Sequence, residues 1–506
     1  MDIFGSLLIG FQTAMQPSVL MYCFLGVFLG TFVGVLPGIG ALAAISLLLP
    51  ITYHIDPTSA IVMLAGVYYG AEYGGSTASI LLNLPGTASN AITCLDGYPM
   101  AKQGRAGVAL FMTTIASLVG GLFGVAALTM FSHSIVEVGL KFGPAEYFSL
   151  MVLGLIAAST LVSGSPAKGL AMVVLGLLLG TVGTDINSGI PRFDFGIPEL
   201  MDGISLVALA MGLFGIGEIV NSISIKREGK AQKITMRSMM PTGKDMKDSA
   251  MPMARGSVIG GFFGALPGTG AAIASFIAYA VEKKNAKDPS RFGKGAIEGI
   301  AAPEAANNAA AQCAFIPTLT LGIPGSATMA IMLGALIIHG IQPGPMLMAE
   351  QPALFWGLVV SFLIGNVLLL ILNIPLIGLW VSLLNIPYRL LYPAILIFMM
   401  LGVYSVNNST FDVVVVAIIG AIGYAMTLLR FEAAPLLLGF VLGPLMEENL
   451  RRALLLSRGD MGTFIERPIS GTLLLIAALM LSWSLFNVLR GFARRRTLAK
   501  ERGEVA

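Results

Sequence analysis

Gly34-Val-Leu-Pro37-Gly38-Ile-Gly40-Ala41 interrupts a long apolar stretch, and Gly264-Ala-Leu-Pro267-Gly268-Thr-Gly270-Ala271 interrupts another in the second half of the chain. Each copy is followed by a second break of the same kind, Leu84-Pro85-Gly86-Thr87-Ala88-Ser89 in the first half and Ile323-Pro324-Gly325-Ser326-Ala327-Thr328 in the second. Backbone that leaves the helix inside a bilayer must be buried in protein or line a cavity. Breaks at matched positions of two repeats therefore point to a central ligand site.

The surrounding composition makes the bilayer the relevant solvent. Of 506 residues, 56% are hydrophobic and 11% charged, against about 25% charged in soluble domains, and the mean hydropathy is +0.85. The start Met1-Asp2-Ile3 lacks the basic n-region of a signal peptide. Cys23, Cys94 and Cys313 lie in apolar contexts without metal-ligand spacing and read as buried thiols.

Candidate spans lie near 107 to 131, 145 to 163, 167 to 184 and 203 to 221, then near 353 to 374, 391 to 406, 411 to 429 and 469 to 489. The Pro-Gly regions 19 to 53, 57 to 95, 255 to 281 and 300 to 341 read as hairpins or broken helices. The expected fold is thus an all-α polytopic membrane protein with two inverted repeats and broken or re-entrant helices. It divides into a first repeat (1–221), a basic cytoplasmic linker (222–254), a second repeat (255–466), and a last span with a basic tail (467–506).

Orientation is read from lysine and arginine. The first 101 residues contain neither; Lys102, Arg105, Lys168 and the linker residues Lys226, Arg227, Lys230 and Lys233 follow at alternate loops. This predicts an outside N-terminus and an odd number of crossings in the first half. In the second half the bias reverses: Lys283, Lys284, Lys287, Arg291 and Lys294 follow the first break, and no Lys or Arg occurs from 295 to 388. The basic C-terminal tail is expected in the cytoplasm, with Glu447 and Glu448 able to pair with Arg451 and Arg452 one turn later.

A Pro-Gly pair at a helix start leaves free N–H groups at the positive end of the helix dipole, and glycine permits close backbone approach. Candidate substrate contacts are Pro37, Gly38, Gly40, Pro85, Gly86, Pro267, Gly268, Gly270, Pro324 and Gly325, with the hydroxyls of Thr87, Ser89, Thr269, Ser326 and Thr328. On this reading Gly268→Val blocks the approach of substrate, whereas Gly260→Ala, outside the break, matters less. Ala302-Pro303-Glu304-Ala305-Ala306-Asn307-Asn308 and Gly70-Ala71-Glu72-Tyr73-Gly74-Gly75-Ser76-Thr77 read as counterparts, each an acid followed by small and polar residues. Asn307 and Asn308 join the substrate contacts; Glu72, Ser76, Thr77 and Glu304 are candidates for coupling a cation.

Absences narrow the mechanism. Ser290-Arg291-Phe292-Gly293-Lys294-Gly295 lacks the spacing and hydroxyl of a phosphate loop, so ATP is not expected to be hydrolysed. His54, His133 and His339 are isolated, so no resident metal or cofactor is expected beyond a transported Na+ or H+. With no basic residue at the breaks, an anion is held by backbone dipoles, hydroxyls, amides and co-bound cations. Driving an anion inward against an inside-negative potential costs about 2.3 kcal/mol per charge per 100 mV, which cation symport cancels. A membrane-embedded enzyme on an acidic or lipid-linked substrate and a passive anion channel remain as alternatives.

The chain resembles the large membrane subunit, the TctA type, of the tripartite tricarboxylate transporter family of bacteria. The matching stretches are Gly34 to Ala41, Tyr69 to Gly75, Asp96-Gly97-Tyr98-Pro99-Met100-Ala101, Phe142-Gly143-Pro144-Ala145-Glu146-Tyr147-Phe148, Ala302 to Ala309, and Thr320 to Ala327. The resemblance implies a secondary transporter of the inner membrane, not an enzyme. A periplasmic solute-binding protein (TctC type) delivers a carboxylate to this subunit and a small membrane subunit (TctB type), and a cation gradient drives uptake. Lipid is its other partner, and nucleic acid is not expected to be one.

Overall fold

Proline starts and glycine breaks set most helix boundaries. The computed structural model describes residues 3–36, 40–160, 165–185, 188–217, 234–266, 270–384 and 388–501. The first-half helices are α1 (Ile3–Ala14), α2 (Pro17–Val35), α3 (Gly40–Thr52), α4 (Pro57–Leu82), α5 (Cys94–Met100), α6 (Ala106–Gly139), α7 (Pro144–Thr160), α8 (Pro166–Gly180) and α9 (Leu206–Ala210). Then come α10 (Gly243–Gly264), α11 (Gly270–Asn285), α12 (Glu298–Cys313), α13 (Phe315–Leu321), α14 (Ala327–Ile338), α15 (Pro352–Asn373), α16 (Tyr388–Asn407), α17 (Thr410–Leu428), α18 (Ala433–Leu456) and α19 (Pro468–Glu501). Among the described residues the only strand pairing is the short ladder of Gly183–Thr184 with Pro191–Arg192. The protein is an all-α polytopic membrane protein. Four helical stretches, Pro17–Val35, Cys94–Gly139, Pro352–Asn373 and Thr410–Leu428, are long and apolar enough to cross a membrane, and shorter apolar helices accompany them.

The chain forms two compact units, and each draws on both halves of the sequence. One comprises Met1–Gly139 with Ser205–Ala425, the other Leu140–Ile204 with Met426–Ala506. The basic segment 222–254 lies partly outside the described residues; from Gly243 onward it is already helix α10, whose start Thr242 caps in a reciprocal box with Asp245.

In the larger unit α2 lies against α4, and α10 against α12, with small residues along both seams. A Cβ on Gly26, Gly30 or Gly34 would come within 2.3–2.5 Å of the carbonyl oxygens of Met63, Val67 and Ala71. The same four-residue rhythm recurs in the second half, where Gly256, Gly260 and Gly264 meet the carbonyls of Ala302, Ala306 and Ala310. Such small-residue faces let helix backbones approach closely in lipid.

This corrects the expectation for Gly260. A Cβ there would sit 2.1 Å from Ala306 O and 2.7 Å from its Cα, and backbone atoms cannot swing aside. Gly260→Ala should therefore destabilise the protein by about 1–3 kcal/mol, seen as a lower thermal midpoint and a smaller monodisperse yield. An unchanged midpoint would contradict the tight α10–α12 seam.

In the smaller unit α8 and α18 cross reciprocally: a Cβ on Gly176 would lie 2.0 Å from Leu436 O, and one on Gly439 2.4 Å from Val173 O. Glu146 in the Phe142 to Phe148 motif accepts from Gly143 N at 2.8 Å, ahead of α7, and pairs with Arg467 at 2.6 Å. That motif holds structure together. Arg451 pairs with Glu447 at 2.6 Å and with Asp185 at 3.0 Å, and Arg452 pairs with Glu448. All three cysteines are free and buried.

Candidate functional site

Both first breaks resume helix through a left-handed glycine, Gly40 at φ +67° and Gly270 at φ +63°, a conformation that costs other residues about 1 kcal/mol or more. Pro37, Gly38, Pro267, Gly268 and Thr269 lie outside the described residues. Both second breaks follow a left-handed cap, Asn83 (φ 57°) after α4 and Gly322 (φ 69°) after α13. Downstream, Gly86 faces Gly34 O and Gly325 faces Gly264 O.

Aligning the halves on these caps superposes the glycine seams of α2–α4 and α10–α12 as well. The same alignment sets Glu72 opposite Ala311 and Glu304 opposite Ala65, two helical turns from the pairing read from sequence. Glu72 and Glu304 are therefore not repeat counterparts. The polar loop between α11 and α12 lengthens the second half, and a match on acid and small-residue pattern missed that shift.

The two acids nevertheless converge in the larger unit through a residue that sequence reasoning passed over. Asn90, fully buried in the 3-10 turn Ala88–Ala91, donates its amide to Glu304 Oε1 at 3.1 Å and Oε2 at 3.3 Å, and to Glu72 O at 3.4 Å. Its carbonyl oxygen accepts from Thr87 Oγ1 at 2.6 Å. Thr87 also reaches Glu72 Oε2 at 3.2 Å and Ser89 Oγ at 2.7 Å, and Ser89 donates to the same Glu72 oxygen. Thr93 donates to Glu304 Oε2 at 3.1 Å, and Asn307 to Oε1 at 3.3 Å. Asn308 extends the chain, donating to Asn307 Oδ1 at 2.5 Å and to Ser117 Oγ on α6 at 2.9 Å.

Glu72, Thr87, Ser89, Glu304, Asn307 and Asn308 are thus brought together, with Gly86 packed behind them. Ser326 lies beside Gly270 and caps α14 through Met329 N at 3.3 Å. Ser76 turns away, its hydroxyl donating to Tyr73 O at 2.9 Å, and among the described residues Thr77 and Thr328 add no hydrogen bond to the network. Pro85 is exposed, whereas Pro324 is buried. The run Thr87-Ala88-Ser89-Asn90-Ala91-Ile92-Thr93, with its four polar residues after a break, was the available signal for Asn90 and Thr93.

The two carboxyls face different surroundings. Glu304 meets only donors, two amides and a hydroxyl, which suits an ionised carboxylate. Around Glu72 four oxygens, Glu72 Oε2, Thr87 Oγ1, Ser89 Oγ and Asn90 Oδ1, crowd together with two hydroxyl protons among them. A proton on Glu72, or a cation among the oxygens, completes that set. Among the described residues no Lys, Arg or His pairs with either acid. Asp96 plays a structural part instead: one oxygen accepts from Gly293, Gly295 and Ala296 N at 2.8–2.9 Å, the other from Tyr279 at 2.9 Å. It ties the α11–α12 loop to α5.

Fold and site together define an all-α polytopic membrane protein whose broken helices surround a buried, uncompensated polar network. The chain belongs to the tripartite tricarboxylate transporter TctA family, which it matches over residues 20–438. It is accordingly a transporter subunit and not an enzyme. It is 49% identical over 476 residues to an uncharacterized 52.8 kDa protein of the TAR-I ttuC' 3' region of Agrobacterium vitis, covering 94% of this chain and 95% of the relative. It is 58% identical over 215 residues to an uncharacterized protein of the TAR-II ttuC' 3' region of the same organism, covering 42% of this chain and 89% of the relative. No solved structure matches.

Proposed function

We propose that this chain is the large membrane subunit of a binding-protein-dependent secondary transporter that imports citrate-like tricarboxylates or dicarboxylates with Na+ or H+. The observation that carries the reading is the buried pair Glu72 and Glu304, linked by Asn90 and lacking any basic partner among the described residues. Like charges held in one buried network repel, and more strongly in the interior than in water. An anion can therefore occupy the neighbouring breaks only with protons or cations that neutralise the acids. Binding and charge compensation are then one event, which is what symport requires.

The Pro-Gly termini, with Thr87, Ser89, Ser326 and the Asn307–Asn308 pair, hold the substrate in this reading, and the two acids couple the cation. Two further contacts support an inverted arrangement of the halves in the inner membrane, with the N-terminus periplasmic and the C-terminus cytoplasmic. Gln103 donates to Lys294 O at 2.8 Å, and Arg105 pairs with Asp245 at 2.6 Å. The basic segment after the second break of one half thus adjoins the basic segment after the first break of the other.

The test is uptake of labelled citrate, several dicarboxylates and an aromatic carboxylate into proteoliposomes. These hold the chain with a TctB-type small subunit, with and without a TctC-type binding protein and a Na+ gradient. Accumulation that needs both is the expected result; accumulation with a proton gradient alone would make the cation H+. Equilibration without accumulation would replace symport with a channel.

A further inference from the structure

In the smaller unit α8 and α18 run in the same direction. A Cβ on Gly176 would meet Leu436 O and one on Gly180 would meet Phe440 O, so the contacts advance together along both helices. Where the two helices begin, Lys168 Nζ donates to Leu429 O at 2.6 Å, with Arg430 next in sequence. That basic end is cytoplasmic in the orientation proposed above, which makes the loop 181–204, past the other end of α8, periplasmic. The loop is fixed in place. The ladder of Gly183–Thr184 with Pro191–Arg192 closes it, and Thr184 Oγ1 donates to Met201 O at 2.9 Å. Arg192 pairs with Glu447 at 2.8 Å and Asp185 with Arg451 at 3.0 Å, both partners on α18.

This anchored loop nevertheless turns large apolar side chains outward: Phe195 is 80% exposed, Ile190 63% and Phe193 52%. Both phenylalanines stand in the left-handed region, Phe193 at φ 52° and Phe195 at φ 50°, which bulky residues rarely adopt. Such strain persists only where the surroundings impose it, and it clusters where ligands and partners are held. Charge limits what can cover these rings. Asp194, Glu199 and Asp202 interleave with them and make no ion pair among the described residues, while the loop's one arginine is already paired. Three uncompensated carboxylates disfavour insertion into lipid, and a twofold contact of the loop with itself would set like charges face to face. A partner with an apolar cleft and a basic rim fits both features. Beyond the end of α8, on the periplasmic side, that partner is a water-soluble protein.

We propose that the loop 181–204 is the docking surface for the TctC-type binding protein, with Phe193 and Phe195 seated in an apolar cleft that lysine and arginine rim. Glu199 and Asp202 then steer the approach of that rim. The inference rests on the binding-protein-dependent reading above and adds where the partner lands.

The test is binding of purified TctC-type protein, with and without citrate, to the complex of this chain with a TctB-type subunit in lipid nanodiscs, read by biolayer interferometry at several salt concentrations. Phe195→Asn keeps a residue that tolerates the left-handed region and removes the ring. It should raise Kd at least tenfold without moving the thermal midpoint. Glu199→Lys combined with Asp202→Lys should slow association several-fold and flatten its salt dependence. If Phe195→Asn lowers the midpoint, the charge variant alone decides. Wild-type affinity in both variants, as expected of a loop that rests on lipid, would overturn the docking surface and leave the binding-protein reading intact. No binding to the wild-type complex would remove both. Loss of the small subunit from the Phe195→Asn complex on gel filtration would give this face to that subunit instead.

Discussion

Asn90→Leu should abolish uptake, with a loss of about 100-fold or more, equivalent to about 2.7 kcal/mol. The Glu304 carboxyl loses its amide donor, and the Glu72 main-chain carbonyl loses its contact at the same time. Glu304 keeps only Thr93 and Asn307 as donors, and the Thr87 hydroxyl loses its shortest acceptor. A buried charged group deprived of hydrogen bonds loses about 1–3 kcal/mol or more, and here the loss falls on the coupling between the acids. Thr93→Val removes one donor from Glu304 alone and should reduce uptake several-fold at most. The measurement is initial uptake per reconstituted protein, with gel filtration to check folding. Wild-type uptake by a folded Asn90→Leu protein would remove the Glu72–Asn90–Glu304 chain from the mechanism.

Gly86→Ala and Gly325→Ala, at matched breaks, should behave oppositely. At Gly86 a Cβ would stand 2.1 Å from Gly34 O and 2.4 Å from Gly75 Cα, all backbone. To accept it, α2, α4 and the Thr87–Asn90 turn must separate, at a cost at or above the usual 1–3 kcal/mol of overpacking, and the network must lose its geometry. At Gly325 the nearest atom, Gly264 O, is 3.4 Å away, an ordinary contact. Gly86→Ala should lower the thermal midpoint clearly and abolish uptake, while Gly325→Ala keeps the midpoint near wild type. Equal effects would mean that the two breaks are packed alike.

Much of this protein follows from local features of the chain. The apolar stretches near 107 to 131, 145 to 163 and 353 to 374 fall within α6, α7 and α15 with small boundary differences, because crossing a bilayer demands a run of apolar residues whatever surrounds it. Pro85 and Pro324 mark real interruptions, since proline and glycine act on their own backbone. The motifs from Gly34 to Ala327 were enough to place the chain in its family.

The identity of the site's central residue was not local. Asn90 bridges Glu72 and Glu304 because a 3-10 turn after one break docks against a helix more than 200 residues later, and no spacing in the sequence encodes that approach. Register was lost for the same reason. Glu72 and Glu304 look like counterparts along the chain, but the longer α11–α12 loop shifts the second half by two turns, and only the glycine seams show the true alignment. Sequence by itself determined the solvent, the helices and where they break, all properties of short stretches. Tertiary structure alone decided which polar groups meet and which glycines carry the packing, because those depend on the crossing and register of helices distant in the chain.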